Sequence, residues 1–249
     1  MILFAGIVLH AMLVAAPQNA SVTFRINDAS VSYEAHETHL GSSMQTIIGR
    51  NKDIILEIAP SQGKLQAELL ISGAGFKTDR PMRDWSVKTL YLKASEYPEI
   101  TFDLLTIDGA PVASVLHPAD QNTMLLKTSL QNLMVTITAP ARNDDPMTIE
   151  VGDEKFLADG QLKKDILNAL HSDTGEIHVM GKLTVTGGSK DFDTAVSFVR
   201  TGASTFSLST VINAGFKDFG MNAPSLSWFI EVHNALILRG HAVINVLQP

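Results

Sequence analysis

No cysteine occurs among the 249 residues. That excludes disulfides, thiolate metal sites, cysteine nucleophiles and a lipid-modified cysteine anchor. Positive charge is also in short supply: 19 Lys and Arg stand against 26 Asp and Glu, a net charge of −7. Nucleic-acid binding rests on clustered Lys and Arg, so that class of partner is set aside. The G-x-S-x-G elbow, the phosphate-binding Walker loop and the H-E-x-x-H helix signature are all missing. Tryptophan and tyrosine are sparse, at 2 and 3 residues, beside 11 phenylalanines.

Charge is lacking altogether before Arg25. Ile2 to Ala16 form an apolar run broken only by His10, followed by the small and polar Pro17-Gln18-Asn19-Ala20. A bilayer span needs about 20 apolar residues, so this run is short for an anchor and suits the core of a signal peptide. The basic start of such a peptide is wanting. Residues 1–20 are read as a signal peptide cut between about residues 16 and 21, and 21–249 as one domain exported to the periplasm or secreted. A chain of this length can bury a full core.

Beyond residue 20 the dominant period is two. Val31, Tyr33 and Ala35 alternate with polar neighbours, as do Leu65, Ala67, Leu69 and Ile71. Ile177, Val179, Leu183 and Val185 do the same, and so do Leu236, Leu238, Ala242 and Ile244. Such alternation marks antiparallel strands with one apolar and one wet face, arranged as a sandwich or a barrel. No internal repeat or low-complexity tract interrupts it.

Two segments depart from the pattern. Arg80-Pro81-Met82-Arg83-Asp84-Trp85 opens a helix over about 80–95, stopped at Tyr97-Pro98 because the residue before proline is pushed out of the helical region. The second departure lies at about 110–174. Within it, Leu126, Thr128 and Leu130, then Leu133, Val135 and Ile137, read as two strands. Asn143-Asp144-Asp145-Pro146 reads as a loop, and Leu162, Ile166, Ala169 and Leu170 recur at helical spacing after Asp159-Gly160.

Candidate chemistry is thin. Gly73-Ala74-Gly75 follows a strand, but Thr78 stands at the third glycine position and no long crossover helix follows, so a tight turn is expected rather than a dinucleotide loop. His36 and His39 are three apart, a spacing that zinc sites use, but further ligands are needed; a polar turn is the simpler account. Asp144-Asp145 and Asp191 with Asp193 are carboxylate pairs beside turns, where solvation explains them better than acid–base work.

Three blocks together resemble the YceI-like family of lipocalin-like barrels. The first runs from Asp28-Ala29-Ser30-Val31-Ser32-Tyr33-Glu34-Ala35-His36 through His39-Leu40 to Thr46-Ile47-Ile48-Gly49-Arg50-Asn51-Lys52. The second is Arg83-Asp84 through Tyr97-Pro98-Glu99-Ile100-Thr101-Phe102. The third is Gly181-Lys182-Leu183-Thr184-Val185-Thr186-Gly187-Gly188-Ser189-Lys190, with Phe206-Ser207-Leu208, Asp218-Phe219-Gly220 and Pro224-Ser225-Leu226 after it. Thr186 stands where the family pattern has His, and the 110–174 segment has no counterpart in that pattern.

The resemblance implies an antiparallel β-barrel that carries a long apolar lipid, such as a polyisoprenoid, an isoprenoid quinone precursor or a fatty-acyl compound. It implies no cofactor and no catalysis. Periodicity alone leaves the interior either packed or hollow, as small barrels can be both. If hollow, Tyr33, Leu69, Ile71, Phe102, Leu104, Phe206 and Leu208 are the expected ligand-binding residues. Trp85 and Leu90 are expected to pack onto the barrel or its mouth, with Arg83 and Asp84 anchoring the turn. Two other readings stay open: a metal-dependent hydrolase built on His36, His39 and an acidic residue of the inserted segment, and a filled barrel whose 110–174 segment docks a partner. Nothing in the sequence excludes a homodimer.

Overall fold

The computed structural model describes residues 21–39, 43–61, 64–119, 125–140, 142, 144–160, 163–164, 173–223 and 230–247. The expected signal peptide and most of the helix expected around Leu162–Leu170 lie outside these residues.

Fifteen strands, all paired antiparallel, form one curled sheet among the described residues. They are β1 (Ser21–His39), β2 (Met44–Asn51), β3 (Ile54–Ser61), β4 (Lys64–Ser72), β5 (Glu99–Ile107), β6 (Ala110–Pro111), β7 (Leu116–Pro118) and β8 (Leu126–Ser129). β9 (Leu133–Thr138), β10 (Met147–Val151), β11 (Glu154–Ala158), β12 (Thr174–Val185), β13 (Gly188–Arg200), β14 (Thr205–Gly215) and β15 (Ile230–Leu247) follow. The path runs β7-β11-β10-β9-β1-β15-β14-β13-β12-β5-β4-β3-β8, with β2 beside β1 and β6 beside β5. The architecture is a lipocalin-like antiparallel barrel.

β1 organises the molecule because two different strands share one of its edges. Its first part, Ser21–Ile26, pairs with β9, and its second part, Val31–Thr38, pairs with β2. The opposite edge pairs with β15 along most of its length, with register shifts between Ile26 and Asp28 and between Ala35 and Glu37. The 110–174 segment therefore joins the wall rather than forming a separate body. Its two expected strands are β8 and β9, and the link between them ties opposite sides together: Leu130 N–H donates to the Ile54 carbonyl and Asn132 N–H to the Ile26 carbonyl.

Inward residues change character along the barrel axis. At the end covered by β9, β10 and β11, Phe24, Ile26, Leu56, Val135, Phe156, Phe198 and Phe206 are fully or almost fully buried in one core cluster. Burying each such side chain is worth roughly 1.5–3 kcal/mol, so this half supplies much of the stability. Glycines let the rings lie against the wall. A Cβ at Gly175 would overlap the Phe198 ring, and one at Gly181 would overlap Phe102.

The β12–β13 hairpin turns on Thr186-Gly187, with φ of 49° and 80°. Both central residues thus occupy the left-handed region required by a two-residue type I′ turn. The helix α1 spans Pro81–Ser86 and continues as a π-helical turn over Val87–Tyr91. It stops earlier than 95, where Lys93 takes a φ of 45°. Proline at the first helical position suits its start, since no intrahelical donor is lost there.

Candidate functional site

The other half of the barrel is hollow. A cavity of about 420 Å³ opens there, within the roughly 300–1,000 Å³ usual for small-molecule sites. Register along β1 places it: lining begins at Ser30 and continues to His39, past the part that β9 covers. Ile54, Leu69, Ile71, Ile100, Phe102, Leu183, Leu208, Ile212 and Leu238 supply the walls. Phe216 and Phe219, on the short 3-10 turn Phe216–Phe219, add to them. Among the described residues, none of 110–174 lines it. The inserted strands thus thicken the packed half and leave the hollow one alone.

Five of the seven residues singled out in the sequence, Tyr33, Leu69, Ile71, Phe102 and Leu208, border this cavity. Leu104 and Phe206 face inward too, but one layer deeper. Leu104 pairs across to Ala67, and Phe206 lies fully buried in the packed half with the Arg200 guanidinium 4.4 Å from its ring centre.

α1 and the segment leading into it border one side of the cavity through Phe76, Arg80, Met82, Arg83, Ser86, Val87 and Tyr91. Asp84 does anchor the turn: its Oδ1 accepts from both Thr78 N and Thr78 Oγ1 at 2.6 Å. Arg83 bridges two carboxylates, Asp79 at 2.7 Å and Glu37 at 3.0 Å. The expected packing of Trp85 and Leu90 is corrected by the structure, which leaves them 54% and 50% exposed. An eleven-residue helical segment resting on the barrel through Arg83, Val87 and Tyr91 turns Trp85 and Leu90 toward solvent.

Sequence reasoning missed Glu37. It lies between His36 and His39, where the sequence suggests a polar turn, yet it is buried on the cavity wall, held by Arg83 at 3.0 Å and by His39 Nε2 at 3.1 Å. The available signal was a charged residue near the apolar parity of β1. His36 and His39 do not act together: His36 faces Thr46 Oγ1 at 3.3 Å and Glu34 at 3.6 Å, and His39 faces Glu37. Among the described residues no group of three or more His, Asp or Glu is placed to hold a metal ion.

The remaining polar wall atoms are mostly paired within the protein. Thr194 Oγ1 lies 3.0 Å from Thr210 Oγ1 and donates to the Val211 carbonyl at 3.1 Å. Tyr33 is different. Its ring packs 5.5 Å from that of Phe76, and its hydroxyl is buried with no hydrogen-bond partner. Burial pushes the Tyr33 phenol well above its ordinary range, opposed by the Arg83 charge and reinforced by Asp84. Burial also raises the Tyr91 phenol, with Glu37 adding to the effect.

An antiparallel barrel, packed at one end and hollow and apolar at the other, with a helix across the hollow end, defines the lipocalin-like class. The chain belongs to the YceI-like domain family, whose model matches residues 13–240. Solved structures are similar to the chain at low identity. BcnA of Burkholderia cenocepacia is 14% identical with a TM-score of 0.45, over 86% of this chain and 95% of that one. A polyisoprenoid binding domain from Saccharophagus degradans is 10% identical with a TM-score of 0.47, over 90% and 98%. The Campylobacter jejuni YCEI protein is 14% identical with a TM-score of 0.39, over 81% and 85%. Comparison with curated proteins found no match.

Proposed function

We propose that the protein binds and carries a long apolar lipid, without catalysis, in the hollow half of its barrel. The observation that carries this is the apolar cavity bounded by Tyr33, Leu69, Ile71, Phe102 and Leu208; membership of the YceI-like domain family, for which the sequence resemblance implies apolar-lipid carriage, supports it. Each methylene moved from water onto such walls contributes roughly 0.8 kcal/mol, so a chain of several isoprene or methylene units binds without a dedicated polar contact. A polyisoprenoid, an isoprenoid quinone precursor and a fatty-acyl compound all satisfy that chemistry. Selectivity then follows chain length and flexibility.

Carriage of this kind fits an exported protein, and the apolar run Ile2–Ala16 supports export. Protein purified from its native host, extracted with organic solvent and analysed by mass spectrometry, is expected to release prenyl or acyl species in stoichiometric amount. Protein that yields none and takes up none on exposure to them would overturn the proposal. Sequencing of its N-terminus is expected to find a start between about residues 16 and 21.

A further inference from the structure

Exposed apolar side chains and cations gather on α1 and its π-helical turn. Between residues 77 and 93, Lys77, Arg80, Arg83, Lys88 and Lys93 stand against Asp79 and Asp84 alone, in a chain whose net charge is −7. Both carboxylates are engaged, Asp79 with Arg83 and Arg80, and Asp84 with Thr78. Lys77, Lys88 and Lys93 are exposed, and none of the three makes an ion pair among the described residues. In the same segment Met82, Trp85 and Leu90 are 77%, 54% and 50% exposed. The fold holds the helix by other side chains: Val87 and Leu92 pack against the core cluster, and Arg83 is clamped to the buried Glu37. Met82 also borders the cavity, so the apolar patch reaches the cavity's opening.

Large apolar side chains left grouped in water mark an interaction face. The charges around them choose the partner. Lysine is depleted at the centre of protein–protein interfaces, whereas Trp and Leu beside Lys on a helical segment suit a membrane surface. There the apolar side chains enter the headgroup boundary and the ammonium groups meet anionic lipid. We propose that α1 and its π-helical turn are a docking face for an anionic membrane surface, entered by Met82, Trp85 and Leu90 and held by Lys77, Lys88 and Lys93. The rest of the chain is acidic and is repelled by such a surface, so attraction is confined to this segment and fixes the orientation. The cavity opening then lies against the bilayer. A lipid passes between bilayer and cavity without crossing water; that consequence rests on the carrier reading, whereas the docking does not.

Flotation of the protein, purified from its native host, with vesicles tests this. Vesicles of phosphatidylcholine alone are compared with vesicles of phosphatidylcholine and phosphatidylglycerol. Binding is expected to the mixed vesicles only, and to weaken in high salt. Lys88→Gln with Lys93→Gln is expected to bind roughly thirtyfold more weakly, each lysine near an anionic surface being worth about fivefold. Trp85→Ser with Leu90→Ser is expected to bind at least about tenfold more weakly, at an unchanged melting temperature because both side chains already face water. Trp85 and Trp228 are the only tryptophans, so in a Trp228→Phe protein the emission reports Trp85 alone. It is expected to move to shorter wavelength on adding the mixed vesicles, and to be quenched by brominated acyl chains. Absence of binding by the parent, equal binding to both vesicle types, or an unmoved Trp85 emission overturns the proposal. Binding that neither pair of substitutions weakens overturns it too, because another part of the chain then makes the contact. A parent dimer that Trp85→Ser with Leu90→Ser dissociates gives the face to a second copy of the chain and likewise overturns it. The carrier reading is decided separately, by the lipid extraction.

Discussion

Tyr33 and Gly49 face each other across the β1–β2 pair, and the tyrosine ring occupies the space where a side chain on Gly49 would begin. That relationship lets the ring lie flat against the strand wall beside the cavity. Gly49→Ala is expected to push the ring off its site and cost roughly 1–3 kcal/mol, as overpacking does elsewhere. Chemical denaturation measures it. An alanine variant as stable as the parent contradicts the close approach.

Phe206 tests the packed half. It is fully buried among core residues and does not line the cavity. Phe206→Trp should therefore cost roughly 1–3 kcal/mol, with lipid binding retained by the molecules that fold. A variant of unchanged stability shows empty space where the structure has none.

The solvent-facing side of α1 contributes little to the fold. Trp85 is more than half exposed, so Trp85→Ala is expected to change stability by less than about 0.5 kcal/mol. A loss near the roughly 3 kcal/mol of a buried aromatic would restore the packed position that the sequence suggested.

On the outer face, Glu57, Glu68 and Asp103 stand opposite one another across β3, β4 and β5. Burial and then Asp103 raise the Glu68 carboxyl above its ordinary range. A raised acid favours the fold fully only below the unfolded value, and that contribution is lost as pH rises through the folded value. Glu68→Gln is therefore expected to stabilise the protein at neutral pH by about 0.2–1 kcal/mol, the size of a cross-strand charge term. The gain should vanish below the usual carboxylate range and shrink in high salt. A gain independent of pH contradicts the repulsion.

Much of the wall was legible in the sequence, because period two is a property of each strand by itself. Val31, Tyr33 and Ala35, or Leu65 through Ile71, show it without any partner. Depth along the barrel was not legible. Leu208 and Phe206 share a face, differ by one step and are both buried in the core cluster, yet Leu208 also borders the cavity and Phe206 does not. That difference is fixed by which part of β1 receives β9 and by bulges such as the one between Met180 and Gly181. Neither can be read from local alternation. The ion pair of Glu37 with Arg83 joins residues 46 apart and hides for the same reason.

The central claim is that an apolar chain occupies the hollow half, and Leu208→Trp addresses it most directly. Leu208 sits where the core meets the cavity on β14, and a larger ring there is expected to extend into ligand space. Titration of parent and variant with a fluorescent polyene fatty acid, alongside their melting temperatures, is the measurement. The account predicts saturable, one-to-one uptake by the parent. The variant should melt close to the parent and bind at least about tenfold more weakly, as displacing two methylenes from the walls requires. Uptake by the variant equal to that of the parent, or none by a correctly folded parent, would contradict it.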